Sequence, residues 1–311
     1  MSEKRIAITG VNGFVGKHLA RELVDNDIEV VGIGREEIVD PEIAELLDVY
    51  IHQDIAEAWP NINPPVDAVI NLAGLAAVGP SFDHPQDYIN INSAIVTNMC
   101  EYYLKQDKKP RIISIISGAI YSPDQSLPLT EESDISLNSP YAVSKVMNEK
   151  QLTYYRGRGL GCVAVRPFNH IGPGQLSGFL IPDLIEKLES VGDIGSIDVG
   201  NLKTKRDYTD VRDVAKAYRL LATAETLDHD TYNVCSGKSY SGEEILDKIK
   251  TKMGKNAVLA RVDRSKIRPN DPMDIFGSAK LLKQDTGWKP EIDIDETISD
   301  VLQSTKTQIL A

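Results

Sequence analysis

The 311-residue sequence predicts an α/β fold built on a doubly wound parallel sheet. Three features carry this. Short runs rich in Val and Ile recur through the first half. Amphipathic stretches separate most of them. A turn punctuated by glycines follows the first run directly. Strands buried on both faces read as continuous apolar runs, and strand–helix alternation demands parallel crossovers.

In order, RIAITG, EVVGIG, DVYIHQD, VDAVINLAG, RIISIISG and GCVAVRPFN read as strands. GKHLARELVDN and AIVTNMCEYYLKQD read as crossover helices. The segment after Asp54 is short and ends in WPNINPP, so the crossover there reduces to a loop. Beyond residue 168, Gly and Pro become frequent in HIGPGQLSG, VGDIGSIDVG and RPNDPMD. That pattern predicts a smaller C-terminal α/β substrate-binding domain over 168–205 and 237–311. The larger domain then covers 1–167. VRDVAKAYRLLATA, as a helix, and YNVCSG, as a strand, return to it from the region 206–236.

Composition narrows the function. With 34 Lys and Arg against 46 Asp and Glu, the formal charge is −12. Such a surface argues against nucleic acid or an anionic membrane as the main partner. An anionic ligand would need a local cluster of Arg and Lys. No stretch approaches the ~18 apolar residues of a membrane span. MSEKRIAITG leads straight into a strand without the apolar run of a signal peptide, so a cytoplasmic location is expected. Cys100, Cys162 and Cys235 lie far apart and fit no metal spacing, so they read as reduced, buried thiols, and no metal site is expected.

RIAIT runs into GVNGFVGKHLA, with Gly10, Gly13 and Gly16 spaced G-x-x-G-x-x-G. A strand-to-helix turn that must approach a pyrophosphate cannot carry side chains there, and its N–H groups and helix dipole must face the anion. Phe14 and Val15 share that turn. The motif predicts a dinucleotide-binding, Rossmann-type half. An acidic residue about 20 positions past the glycines would mark NAD. Here the second strand ends at Gly34–Arg35, and a guanidinium suits a 2′-phosphate. NADP(H) is therefore favoured over NAD(H), while Glu36 and Glu37 keep NAD open as the alternative. Asp54, beside Ile55 at the end of the third strand, is either an acceptor for the adenine amino group or a helix N-cap.

LNSPYAVSK carries the chemistry. Ser139 can cap a helix and Pro140 suits its first turn. Tyr141 and Lys145 then share one face. An ammonium beside a phenol favours the phenolate and lowers its pKa from about 10, so the tyrosine can exchange a proton near neutral pH. Ser117, at the end of RIISIIS, can bind the same substrate oxygen. Further on, Asn169 offers an amide, and Arg206 and Arg268 offer planar forks for a diphosphate. Lys203 and Lys205 add positive charge. Taken singly, each arginine reads equally as a salt bridge.

Ser117, Tyr141, Lys145 and GVNGFVG together resemble the extended short-chain dehydrogenase/reductases. The resemblance implies that Tyr141 is the general acid/base and Ser117 positions a carbonyl. It implies that Lys145 tunes Tyr141 and holds the nicotinamide ribose. Asn92 matches the family's helix asparagine, which supports the lysine through water. Leu72, Ala73 and Gly74, in NLAG, match the stretch lining the cofactor. RPFNHIGPGQ and RDYTDVRD place the chain in the nucleotide-sugar branch, nearest to bacterial reductases of GDP-4-keto-6-deoxy-D-mannose, which form GDP-D-rhamnose. The same branch implies substrate contacts at Ser81, Ser117, Asn169, Val199, Arg206 and Arg268, and a homodimer paired through the helices of NSAIVTNMCEYYLK and YAVSKVMNEKQLTYY.

The departures are informative. Ser117 is followed by Gly118 and Ala119, not by the acids of 4,6-dehydratases. No Cys stands near the Ser117 loop, and His170 alone does not meet the needs of a fucose-type epimerase-reductase. Ser122 stands where the family usually has Gly. Simple carbonyl reduction remains. The alternatives are an NAD-dependent nucleotide-sugar 4-epimerase, a reductase of dTDP- or UDP-4-keto-6-deoxy sugars, and a non-catalytic NADP(H)-binding regulator.

Overall fold

A computed structural model describes residues 4–266 and 271–310. The chain opens with β1 (Arg5–Thr9), α1 (Phe14–Val24), β2 (Glu29–Gly34), the single-turn helix α2 (Pro41–Ala44) and β3 (Val49–His52). It continues through β4 (Ala68–Asn71), α3 (Pro85–Leu104), β5 (Arg111–Ile115), α4 (Pro140–Gly157) and β6 (Cys162–Pro167). Next come β7 (Asn169–Ile171), α5 (Leu180–Glu189), β8 (Gly195–Val199), β9 (Lys205–Asp210) and α6 (Val211–Thr223). The last elements are β10 (Thr231–Val234), β11 (Ser239–Ser241), α7 (Gly242–Met253), β12 (Val258–Val262), β13 (Asp274–Ile275), α8 (Lys280–Thr286) and α9 (Ile294–Leu310).

Seven strands form one sheet in the order β10-β6-β5-β4-β1-β2-β3, and every pair in it is parallel. The predicted doubly wound sheet is thus present. Between β3 and β4 the chain crosses as turns and loop, as WPNINPP predicts. Sequence order reverses where β4 meets β1, and ligands of such sheets bind beyond the carboxyl ends at that point. Because all seven strands run the same way, Gly10, Arg35, Leu72–Gly74 and Ser117 emerge at one edge.

The side-chain period of two divides the apolar residues between the two faces. Ile6 and Ile8 pack with Leu19 and Leu23 of α1 and with Val214 and Leu221 of α6. Ala7 faces the other way, with Ile95 and Met99 of α3 and Leu152 of α4. A separate core gathers Leu184, Ile197, Ile245, Ile249, Val258 and Ile298 from α5, β8, α7, β12 and α9. Both returning segments join the large sheet as expected: α6 packs on α1, β4 and β5, and β10 pairs with β6.

Two expectations need correction, and the cysteine reading holds. GCVAVRPFN is not one strand. β6 ends at Pro167, the Phe168 N–H still bonds to Val234 O at 2.9 Å, and Asn169 then pairs with Tyr208 of β9 in a different sheet. Val199 points into the second core and is 2% exposed, so its side chain is not offered to a ligand. Cys100 and Cys162, distant in sequence, lie in the same core on the α3 side of the sheet. All three cysteines are free and buried.

The glycine turn is closed by contact. A Cβ on Gly16 would lie 2.4 Å from Val11 O and 2.5 Å from Gly10 O, both backbone atoms that cannot swing aside. Gly16→Ala should therefore cost about 1–3 kcal/mol through overpacking. Urea unfolding followed by circular dichroism checks this, and an unshifted midpoint would mean that the turn has slack.

Candidate active site

At the carboxyl edge the glycine turn forms the first wall. Gly10 adopts φ +67°, and a Cβ there would sit 3.2 Å from Ala73 N. Gly13 caps α1 without a side-chain acceptor, so the first-turn amides of Phe14, Val15 and Gly16 are left to the positive end of the helix dipole. A cradle of this shape, lined by N–H donors, fits a pyrophosphate. The Phe14 ring stacks on His170 at 6.1 Å and meets His18 edge-on. Burial holds the His170 imidazole below its ordinary range, which keeps it neutral.

The end of β2 carries both signs of charge. The Arg35 side chain is 72% exposed, and its Nε lies 4.0 Å from a Glu36 oxygen. Asn12, inside the glycine turn, donates to the other Glu36 oxygen at 3.2 Å. The guanidinium can meet a 2′-phosphate, and the carboxylate can accept from ribose hydroxyls. Asp54 Oδ1 accepts from Ala56 N–H at 2.9 Å, which closes a turn; the described residues after it form no helix before β4, so its reading as a helix N-cap is corrected. Ile55, expected as a cofactor contact, has its side chain buried in the α3-side core, which leaves its backbone for such a contact.

Across the strand ends runs a buried polar chain. Thr9 Oγ1 donates to Asn71 Oδ1 at 2.7 Å, Asn71 Nδ2 donates to Ser114 Oγ, and Ala73 N–H donates to Thr9 Oγ1. The chain pins Leu72–Gly74 beside the turn. Asn92 is buried on α3. It accepts from Leu75 N–H at 2.8 Å and donates to Leu75 O and to Ser144 Oγ, so it couples that loop to α4 beside Lys145.

α4 begins as its sequence dictates: Ser139 Oγ accepts from Ala142 N–H, and Pro140 occupies the first turn. Tyr141 and Lys145 lie buried on one face. The Tyr141 phenol lies near enough to the Ser117 hydroxyl for that group to pull its pKa down. Lys145 Nζ donates to Ile115 O at 2.8 Å and lies 5.8 Å from the Tyr141 ring centre. The structure thus gathers the three predicted residues beside the glycine turn. It corrects the electrostatics. Burial pushes the Tyr141 phenol above its ordinary range, and the Ser117 hydroxyl only partly offsets this. Burial also pulls Lys145 down to about 8. Desolvation is the largest cause of both shifts. A phenol held in its acid form is a loaded proton donor.

On the substrate side the sequence-predicted residues divide. Asn169 is exposed next to Phe168 at the strand switch, and Lys203 and Lys205 are exposed. Arg206 is engaged internally: it donates to Asp271 at 2.5 Å and to the carbonyls of Pro272 and Lys205. Its reading as a free fork is corrected to an ion-paired one. Ser81 is fully buried, with Oγ donating to Val78 O at 2.6 Å, so it is a turn-forming residue and not an open sugar contact. Arg268 lies outside the described residues.

Four buried residues at the site escaped the motif reading: Tyr121, Glu149, Arg166 and Asn233. Two of them left a legible signal. Glu149 continues the Tyr141–Lys145 stripe by one turn, and Arg166 is a charge inside the apolar run GCVAVRPFN. Cys235 corrects a further expectation. It lies in the small cluster of Tyr121, Leu129 and Phe168 beneath the Ser117 loop, but burial raises its thiol well above the ordinary range and leaves it inert.

Comparison with known proteins supplies the relatives. The NAD dependent epimerase/dehydratase family matches residues 6–235. The GDP-6-deoxy-D-mannose reductase of Pseudomonas aeruginosa is 30% identical, with 98% of each chain covered. A UDP-glucose 4-epimerase of Pisum sativum is 25% identical over 96% of this chain and 95% of its own. The solved structure of RMD from Pseudomonas aeruginosa complexed with NADPH superposes with a TM-score of 0.83 at 28% identity, covering 98% of this chain and 99% of that one. Among the described residues no helix is long and apolar enough to cross a membrane.

The buried lysine makes stability depend on pH. Unfolded, Lys145 holds its proton up to its ordinary value of 10.5; folded, it releases it near 8. Across that window the unfolded chain binds more protons, so this group raises stability as pH rises. Measured by urea unfolding from pH 8 upward, the native chain should gain on Lys145→Met. Parallel curves for the two would remove the case for a desolvated ammonium.

Proposed function

The chain belongs to the NAD dependent epimerase/dehydratase family, and from that premise we propose that it reduces the 4-keto group of a nucleoside-diphosphate 4-keto-6-deoxy-hexose with NADPH, converting GDP-4-keto-6-deoxy-D-mannose to GDP-D-rhamnose. One observation carries the reading: Tyr141 is buried with Lys145 Nζ 5.8 Å from its ring and within electrostatic reach of the Ser117 hydroxyl, and the residues after Ser117 are Gly118 and Ala119. Such a pair can grip and protonate a carbonyl oxygen, but the loop brings no second acid or base for eliminating water.

A reduced nicotinamide would supply two electrons and one hydrogen. The amides around Gly10, Gly13, Phe14, Val15 and Gly16 would hold its pyrophosphate, and Arg35 its 2′-phosphate. Leu72–Gly74 would line it, and Tyr141 and Lys145 would hold the nicotinamide ribose. The Ser117 hydroxyl orients the ketone oxygen. Tyr141 gives its phenolic proton to the oxygen at carbon 4 as negative charge builds there. The Lys145 ammonium steadies the phenolate left behind. Asn169 and Arg206 bind the diphosphate, with Arg268 carried over by resemblance, so that remote binding energy fixes the reacting carbon. In this reading the seven-stranded part holds the dinucleotide, and the elements around the second core hold the sugar nucleotide. The reading includes a cytoplasmic homodimer paired through α3 and α4, which light scattering of the purified protein tests.

A second reading rests on Glu36. Its carboxylate, latched by Asn12 beside the turn, suits the unphosphorylated ribose of NAD. An NAD-dependent 4-epimerase would follow, and such a protein would copurify with cofactor visible in its absorbance.

Tyr141→Phe should lower turnover about 10²–10⁴-fold, the usual worth of a general acid, with the circular dichroism spectrum unchanged. Near-native turnover would reject the assigned roles. Arg35→Ala should weaken NADPH about tenfold or more, by loss of a charge-assisted hydrogen bond, and hardly affect NADH. Fluorescence titration with both cofactors decides this, and equal losses would remove the case for NADP(H).

A further inference from the structure

Ser117 is held by more than its own backbone. Four residues on, Tyr121 ends the short 3₁₀ turn Gly118–Ile120. Its ring stacks on Phe168, with centres 6.0 Å apart and planes 28° from parallel. Phe168 in turn fills the space a Cβ on Gly118 would need, at 3.1 Å. The aromatic pair therefore supports the loop from below.

The Tyr121 hydroxyl is fully committed. It donates to Asn233 Oδ1 at 2.6 Å and accepts from Arg166 Nη1 at 2.9 Å. Arg166 spends its other nitrogens on Glu149, with Nε–Oε2 at 2.8 Å and Nη2–Oε1 at 2.6 Å, and Nη1 also donates to Glu131 O. Glu149 lies on the α4 stripe that carries Lys145 and Tyr141 at successive turns. Two links thus join the Ser117 loop to one helix. One is the approach of the Ser117 hydroxyl to the Tyr141 phenol. The other runs through Tyr121, Arg166 and Glu149. Asn233 ties this second link to the sheet edge by donating to Leu129 O and Ser278 O.

A bidentate guanidinium–carboxylate pair admits one geometry, and buried it contributes little net stability over an apolar replacement. Its effect here is on register. We infer that Tyr121 is a positioning residue for the proposed reduction: its hydroxyl, braced by Arg166 and Asn233, sets where the Ser117 hydroxyl stands relative to the Tyr141 phenol. The inference rests on the catalytic reading of Ser117 and Tyr141.

The test is a double-mutant cycle. Tyr121→Phe keeps the ring on Phe168 and deletes both hydrogen bonds. It should lower kcat for NADPH-dependent reduction of GDP-4-keto-6-deoxy-D-mannose about tenfold to a hundredfold, as misplacement of a reacting group does. KM and the NADPH Kd from fluorescence should stay unchanged. With Ser117→Ala already present, the same substitution should cost less than about twofold, because its effect passes through Ser117. Equal proportional losses in both backgrounds, or an unchanged kcat for Tyr121→Phe alone, overturn the inference. A silent Ser117→Ala overturns the catalytic reading instead. Should Tyr121→Phe fail to fold, Asn233→Ala enters the same cycle. It removes one partner of the hydroxyl while Arg166 stays paired with Glu149, and the same outcomes decide.

Discussion

Burying Tyr141, Lys145 and Glu149 along one face of α4 is the constraint that shapes this molecule. A phenol, an ammonium and a carboxylate cannot enter a protein interior without partners. Each partner found is a piece of the architecture. The phenol meets Ser117 at the end of β5, the ammonium takes the carbonyl of Ile115, and the carboxylate is forked by Arg166 of β6. The helix is thereby locked to two adjacent strands of the sheet at three heights. That lock sets the tilt at which the reacting groups face the glycine turn.

Desolvation also sets the chemical character of the site. Water would leave Tyr141 and Lys145 near their ordinary values. Burial drives them apart, the phenol up and the ammonium down to about 8. The cost of charging either group alone is high, and the arrangement favours a phenol that keeps its proton until negative charge develops on a bound oxygen. An acidic chain that binds an anionic ligand meets the same issue at longer range. Its answer is local: α1 aims bare amides outward, Arg35 stands exposed beside Glu36 at the strand end, and Arg206 is paired with Asp271.

Motifs were legible where backbone geometry forces a residue type. Gly16 has no room for a side chain, and Ser139 followed by Pro140 starts a helix by itself, so the turn and the catalytic helix could be read directly. Residues read by likeness alone fared differently. Ser81 and Val199 sit in segments of the right pattern, yet one hydroxyl is used by its own turn and the other side chain fills a core. Pattern reports the spacing of residues, but burial depends on what packs over them.

The sequence by itself determined the parallel sheet, the glycine turn and the start of the helix that places Tyr141 and Lys145 on one face, because each follows from local periodicity or from sterics within a few residues. Only the tertiary structure decided the split of GCVAVRPFN between two sheets, the pairing of Arg206 with Asp271, and the brace of Tyr121, Arg166, Glu149 and Asn233. It also decided the sign of the shift on Tyr141. Those outcomes depend on contacts between residues 17 to 112 positions apart and on the exclusion of water, and neither is encoded in any one stretch of chain.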